Sequence, residues 1–240
     1  MEYEQILNNM KIVQINAVYE YSSTGRTTKE MHEYLLNHNI ESYVFCTTKS
    51  IPEKNVLKFS NFFDQKIHSI LSRITGLQGM FSYFSTKSLI KKLKEIKPDI
   101  VHLRVLHSNC INLPLLLKYL AKYNIGTVIT LHDCWFFTGH CCYFIDSNCT
   151  KWKIKCGKCP EIRKWNKSLF FDNSSILLFK KKELFSNIKH LGVVGVSDWV
   201  TDFIKDSILK DAQIIKRIYN WIDLTKFTPR ASDAIRKRMN

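Results

Sequence analysis

Gly126-Thr127-Val128-Ile129-Thr130-Leu131-His132-Asp133 is a short, unbroken, β-branched apolar run that ends on two ionisable residues. A strand with one wet face alternates polar and apolar side chains, so a continuous run of this length predicts a strand covered on both faces, inside a parallel sheet. Ligands collect beyond the carboxyl ends of strands in such sheets. His132 and Asp133 therefore stand where a site is expected.

The same pattern recurs on either side. Lys11 to Val18 and Ser42 to Cys46 predict two strands. The helix between them starts after the small polar turn Ser22-Ser23-Thr24-Gly25-Arg26, and Met31, Tyr34, Leu35 and His38, spaced as one helical face, predict its buried side. Residues 51–97 are less regular and accommodate one or two helices. Pro98 to Leu103 predicts the next strand, entered through a proline that ends a Lys-rich helix. Leu113, Leu116, Leu117 and Leu120 form a helical stripe with Pro114 in its first turn, where a missing N–H is tolerated. Further on, Ser174 to Ile188 predicts a helix, Leu191 to Val196 a strand, Ser197 the cap of another helix, and Ile214 to Ile218 a last strand. Strands and helices alternating throughout predict an α/β, Rossmann-like, doubly wound parallel sheet with a cysteine-rich insertion at 132–160. No internal repeat or low-complexity tract is present.

With 240 residues, 45% of them apolar, the chain suits one large domain or two small ones. No apolar run approaches the ~18 residues needed to span a bilayer, and the amino terminus lacks the basic and apolar segments of a secretory signal. A cytoplasmic protein is expected, in which eight cysteines do not build a disulfide framework and the clustered ones are metal ligands or reactive thiols. Cys46 and Cys110 are isolated and read as small buried residues. The net charge of +15 asks for an anionic partner, whether nucleic acid, an anionic membrane surface or a phosphorylated small molecule, or else reflects a solvated Lys-rich surface.

Cys141, Cys149, Cys156 and Cys159 are separated by seven, six and two residues. A terminal C-x2-C pair with two more thiols suits tetrahedral zinc, with Cys134, Cys142 and His140 as spare ligands. The opposing reading packs reduced thiols against Trp135 and Trp152. Thr24, Gly25 and Arg26 offer a phosphate the backbone N–H groups and positive dipole of a helix start, plus a guanidinium. One glycine in a strand-to-helix turn is equally just a turn. Of the residues after the 98–103 strand, alternation buries His102 and leaves Arg104 and His107 to line a pocket. Basic residues from Lys151 to Lys167 interleave with Trp152 and Trp165, a combination that suits an anionic membrane interface, nucleic acid or an ordinary solvated face.

Taken in order, Ser23-Thr-Gly-Arg26, Lys97-Pro-Asp-Ile-Val-His-Leu103, Thr130-Leu-His-Asp-Cys-Trp135, Thr138-Gly-His-Cys141, Cys156-Gly-Lys-Cys-Pro160, Val196-Ser-Asp-Trp199 and Asn220-Trp-Ile-Asp-Leu-Thr-Lys-Phe227 resemble the amino-terminal half of retaining family 4 glycosyltransferases of the GT-B fold. The likeness is strongest to the branch of bacterial capsule, exopolysaccharide and O-antigen assembly. It implies two facing Rossmann-like domains, the first for the acceptor and the second for a nucleotide-sugar donor. Residues 1–218 would then be the acceptor domain, and 219–240 the linker and start of a donor domain missing from a truncated, split or partner-dependent chain. Trp221 stands where the family linker has glycine, and Cys142 where the family usually has a small residue.

The resemblance also implies roles. Thr24-Gly25-Arg26 would approach the donor diphosphate, His132 the donor sugar, and Asp133 the acceptor hydroxyl, with proton transfer as its possible task. The family commonly has a histidine at Arg104, and a cation there, with His107 nearby, would suit a polyprenyl-diphosphate-linked acceptor. No protein nucleophile and no catalytic metal are expected. Any zinc is structural, and an iron-sulfur cluster has no part in a transfer that moves no electrons. The expected protein is a glycosyltransferase, cytoplasmic and peripheral at the inner face of the membrane. The rival is a non-catalytic, zinc-stabilised basic module that binds nucleic acid.

Overall fold

In the computed structural model, which describes residues 10–48, 52–228 and 238, the apolar runs become strands β1 (Lys11–Ile15), β2 (Glu41–Cys46), β3 (Val56–Lys58), β4 (Ile100–Leu103), β5 (Gly126–Leu131), β6 (Leu191–Gly195) and β7 (Ile214–Arg217). The helices are α1 (Ser22–Asn37), α2 (Phe62–Thr75), α3 (Tyr83–Ile96), α4 (Leu113–Lys122), α5 (Ser174–Ser186) and α6 (Asp198–Lys205). One sheet runs β3-β2-β1-β4-β5-β6-β7, with each neighbouring pair parallel. Strand order reverses between β1 and β4, which opens a crevice at the carboxyl edge. The Rossmann-like α/β fold is the one the sequence predicts.

One face of the sheet presents Val13, Ile15, Val101, Leu103, Ile129 and Leu131 to the main core, where Leu113, Leu116, Leu117 and Leu120 of α4 are fully buried. Asn112 caps α4 by accepting from the Leu115 N–H at 3.0 Å, and Pro114 sits in the first turn. The other face is thinner than the unbroken β5 run predicts. Val128 and Thr130 are only half-buried, and they line a cavity of about 230 Å³ shared with Met31 of the first helix and with residues 218–221.

Two sequence expectations need correction. The buried side of α1 is Gly25, Thr27, Thr28, His32 and Leu35, whereas Tyr34 is 60% exposed and stacks on exposed His38. Small residues set this face: a Cβ on Gly25 would lie 3.2 Å from the Glu20 nitrogen, and the Asn16 side-chain amide donates to the Thr28 hydroxyl at 2.9 Å. Residues 51–97 hold a short edge strand, β3, besides two helices. In the segment expected to be a linker, the Trp221 indole N–H donates to Glu30 of α1 at 2.6 Å. The basic helix expected from Ala231 to Asn240 lies outside the described residues, apart from Arg238.

The insertion between β5 and α5 is anchored by its own aromatic cluster. Trp152 meets Phe137, Phe144 and Phe203 with ring centroids 5.2, 5.1 and 5.4 Å apart. Gly139 lets this loop touch α5, because a Cβ there would come within 2.1 Å of the Ser174 carbonyl oxygen. Gly139→Ala is therefore expected to destabilise the chain by about 2–4 kcal/mol, as overpacking against backbone cannot relax by a rotamer change. Thermal denaturation checks this, and an unchanged melting point would show that the loop yields.

Candidate active site

His132 and Asp133 leave the end of β5, and His107 follows β4 beside it, so strand pairing alone brings the three to one edge. Asp133 Oδ1 accepts the Trp135 backbone N–H at 2.8 Å, which fixes the carboxylate plane. Its Oδ2 accepts from His107 Nε2, also at 2.8 Å. Burial opposes charge on His107, yet the hydrogen bonds to Asp133 and Cys142 outweigh it and raise its pKa to about 10. Burial likewise opposes the Asp133 carboxylate, but the His107 contact and the Trp135 N–H outweigh it and hold its pKa below the usual value. The result is a half-buried ion pair. It faces a cavity of about 710 Å³ lined also by His132, Cys142, Tyr143 and Trp199.

His132 is neutral. Burial and then the charge of Arg104 lower its pKa to about 4. Arg104 itself is only 2% exposed and lies behind His132 rather than in the larger cavity. Its guanidinium donates to the Thr27 hydroxyl at 2.6 Å, to Gln14 Oε1 at 3.4 Å and to His132 Nε2 at 3.3 Å. Burial lowers its pKa to about 10, which leaves it a cation at neutral pH. Arg104 thus ties α1 to His132.

Thr24, Gly25 and Arg26 lie in the first turns of α1 and do not line the larger cavity. Arg26 is exposed and paired with Glu30 at 2.6 Å, the same carboxylate that holds Trp221. Of the predicted site residues, His107, His132 and Asp133 come together, whereas Arg104 lies one layer below and Thr24-Gly25-Arg26 apart. Tyr143 and Trp199, with rings 6.0 Å apart, escaped the sequence reading as cavity residues. The position of Trp199 just beyond the carboxyl end of β6 was the available signal.

The family model for Glycosyltransferase Family 4 matches residues 24–226, from the first turn of α1 through the sheet, the cavity and the insertion to the segment that carries Trp221. The chain belongs to glycosyltransferase family 4. Over 105 residues this family 4 domain is 31% identical to the putative colanic acid biosynthesis glycosyl transferase WcaC of Escherichia coli (strain K12). That match takes in 42% of this chain and 25% of the relative, so it spans about a quarter of the relative's length. Among the described residues of the family 4 domain, no helix is long and apolar enough to cross a membrane.

The four knuckle cysteines of this glycosyltransferase domain gather beside the cavity loop. Cys141 and Cys159 share a hydrogen bond that holds the Cys159 pKa down and raises that of Cys141, and Cys156 feels the charges of both Cys149 and Cys159. Burial raises the Cys156 pKa to about 11. Among the described residues, no three of these four sulfurs lie within 4.8 Å of one another. A second buried cation, Lys181, was also missed, although it stands alone among Leu177, Leu178, Leu184 and Phe185 on the inner face of α5. Its ammonium donates to the Trp135 and Thr138 carbonyls at 2.5 and 3.0 Å and rests 4.0 Å from the centre of the Trp135 ring. Lys181 pins the loop that Asp133 begins.

The His107 shift has a definite sign. Its folded pKa of about 10 exceeds the ordinary 6.5, so its stabilisation is complete below pH 6.5 and is lost as pH rises through 10. His107→Gln is expected to cost about 2 kcal/mol near pH 6, and the gap from wild type should close toward pH 10. Melting curves across that range check it; a gap independent of pH would show that packing, not the ion pair, is lost.

Proposed function

We propose that this domain is the acceptor half of a retaining GT-B enzyme that transfers a hexosyl unit from a nucleotide sugar to a saccharide or lipid-linked acceptor in surface-polysaccharide assembly. The observation that carries the reading is the cavity at the β4 and β5 carboxyl ends, where a fixed carboxylate, a neutral imidazole and two aromatic rings converge. Aromatic faces suit sugar rings, and the carboxylate suits a hydroxyl. Involvement in polysaccharide assembly draws support from the colanic acid relative. Residues 1–218 serve as the acceptor domain and 219–240 as the connection to a donor domain. Arg26 meets the donor diphosphate at the same edge, and Arg104 acts by holding His132.

The knuckle cysteines Cys141, Cys149, Cys156 and Cys159 hold a structural zinc. Four thiols on one stretch of the insertion are a donor set that structural zinc takes; no three of the sulfurs lie within 4.8 Å of one another, so the ion would draw them together, and it would supply rigidity rather than chemistry. A membrane-borne acceptor, such as a polyprenyl-diphosphate sugar, suits the outer surface of α2 and α3. There Phe62, Phe63, Ile67, Ile70 and Phe84 are exposed, with Lys66 and Lys87 standing over the Phe62 and Tyr83 rings. Apolar side chains rimmed by lysines match an anionic bilayer surface, and the cytoplasmic face of the cell membrane is the setting.

The test is sugar transfer from radiolabelled nucleotide sugars to lipid-linked acceptors. The 240-residue chain alone is expected to transfer none, because the reaction needs a cleft closed between two domains. The same chain joined to a family 4 donor domain is expected to turn over. Turnover by the chain alone would overturn the two-domain reading, and none from the joined protein would overturn the transferase assignment of this cavity.

A further inference from the structure

We propose that His107, Asp133 and Cys142 form a binding site for a single zinc-class divalent ion, separate from the cysteine knuckle, on the wall of the larger cavity. Each residue offers one ligand atom, and these atoms all lie within 4.8 Å of one another. Tetrahedral zinc, with bonds of about 2.0–2.3 Å, holds its ligand atoms about 3.3–3.6 Å apart. The present 2.8 Å between His107 Nε2 and Asp133 Oδ2 would open by about half an ångström as the ion replaces the shared proton.

Three further features suit an ion. Asp133 Oδ1 is held by the Trp135 N–H, so Oδ2 is the oxygen left for coordination. The Asn166 side-chain amide donates to Cys142 Sγ at 3.4 Å, which steadies a thiolate in the way that surrounding hydrogen bonds orient metal ligands. The backbone around Cys142 is fixed, because its carbonyl accepts the Cys134 N–H at 2.9 Å. The donor set of one nitrogen, one oxygen and one sulfur selects a borderline ion, whereas magnesium and calcium prefer oxygens throughout. All three residues line the cavity, so the fourth coordination position opens into it. On the reading of Asp133 as the acceptor contact, a bound ion occupies the oxygen that a substrate hydroxyl would use, and zinc blocks transfer.

The experiment is competitive zinc titration of the 240-residue chain and of Cys142→Ala, with bound zinc counted by metal analysis. Wild type is expected to take up one ion more than Cys142→Ala, or to hold its weaker ion at least about a hundredfold more tightly. Cobalt loaded at that position is expected to show a thiolate charge-transfer band that the variant lacks. Cys142→Ser keeps the side-chain volume and gives the same comparison should the alanine variant fold poorly. Equal stoichiometry and equal affinity in wild type and variant would overturn the site. The titration needs no sugar transfer, so an inactive enzyme that still binds the extra ion would sink the transferase reading and leave the site standing. Zinc binding at this site with transfer unaffected would overturn the blocking role.

Discussion

Asp133→Asn and His132→Ala, each made in a chain joined to a donor domain, are expected to lower kcat by about a hundredfold or more while the protein stays folded. A hundredfold is about 2.7 kcal/mol of transition-state stabilisation, the scale of one well-placed polar group in a water-poor site. The geometry supports that scale. Asp133 is held from two sides, by the Trp135 N–H and by His107, and His132 is held by a buried guanidinium, so neither group has to reorganise as charge develops. Asparagine keeps the shape of Asp133 and removes its charge, which separates electrostatics from packing. Steady-state kinetics with KM and kcat resolved checks the result, with melting curves as the control for folding. Wild-type kinetics in both variants would make the pair structural and send the search toward Arg104 and His107.

Removal of metal from the knuckle should produce the largest change in stability. In Cys142→Ala, where the cavity ion cannot bind, about one zinc per chain is expected, and chelation should lower the melting point by at least about 10 °C. The insertion has aromatic packing but no regular element longer than a single 3-10 turn to hold residues 132–173 against the sheet. Cys156→Ser with Cys159→Ser should match the chelated protein and gain nothing from added zinc. Absence of zinc, with melting unchanged in chelator, would return the four residues to the role of packed thiols.

The sheet was legible because parallel strands buried in a core must be short, apolar and β-branched, and each such run from Lys11 to Ile218 lies on or across a strand. The inner face of α1 was not legible from apolar spacing, since close approach of helix and sheet selected glycine and threonine where periodicity favours large side chains. The burial of Arg104 was not legible either, since only the fold brings Thr27 and Gln14, 77 and 90 residues away, to satisfy a guanidinium expected to line a pocket. The place of His132 and Asp133 at the carboxyl edge of the sheet was legible by position alone. The joining of Cys142 and Asp133 to His107 was not, because no spacing rule connects the insertion with the loop after β4.

The contact between Arg104 and His132 restricts what the imidazole can do. A guanidinium only donates, so His132 Nε2 must accept, and the ring proton resides on Nδ1. The one lone pair of the ring is thereby committed at every pH where Arg104 is charged, and His132 can hand a hydrogen bond to a substrate but cannot take a proton from one. Asp133, kept ionised by its cationic neighbour, is a weak base for a sugar hydroxyl. Together they form a fixed donor beside a fixed acceptor, two electrostatic posts instead of an acid–base couple. In the proposed transfer the proton of the incoming hydroxyl must go to an oxygen that the substrates bring, and the departing diphosphate supplies one.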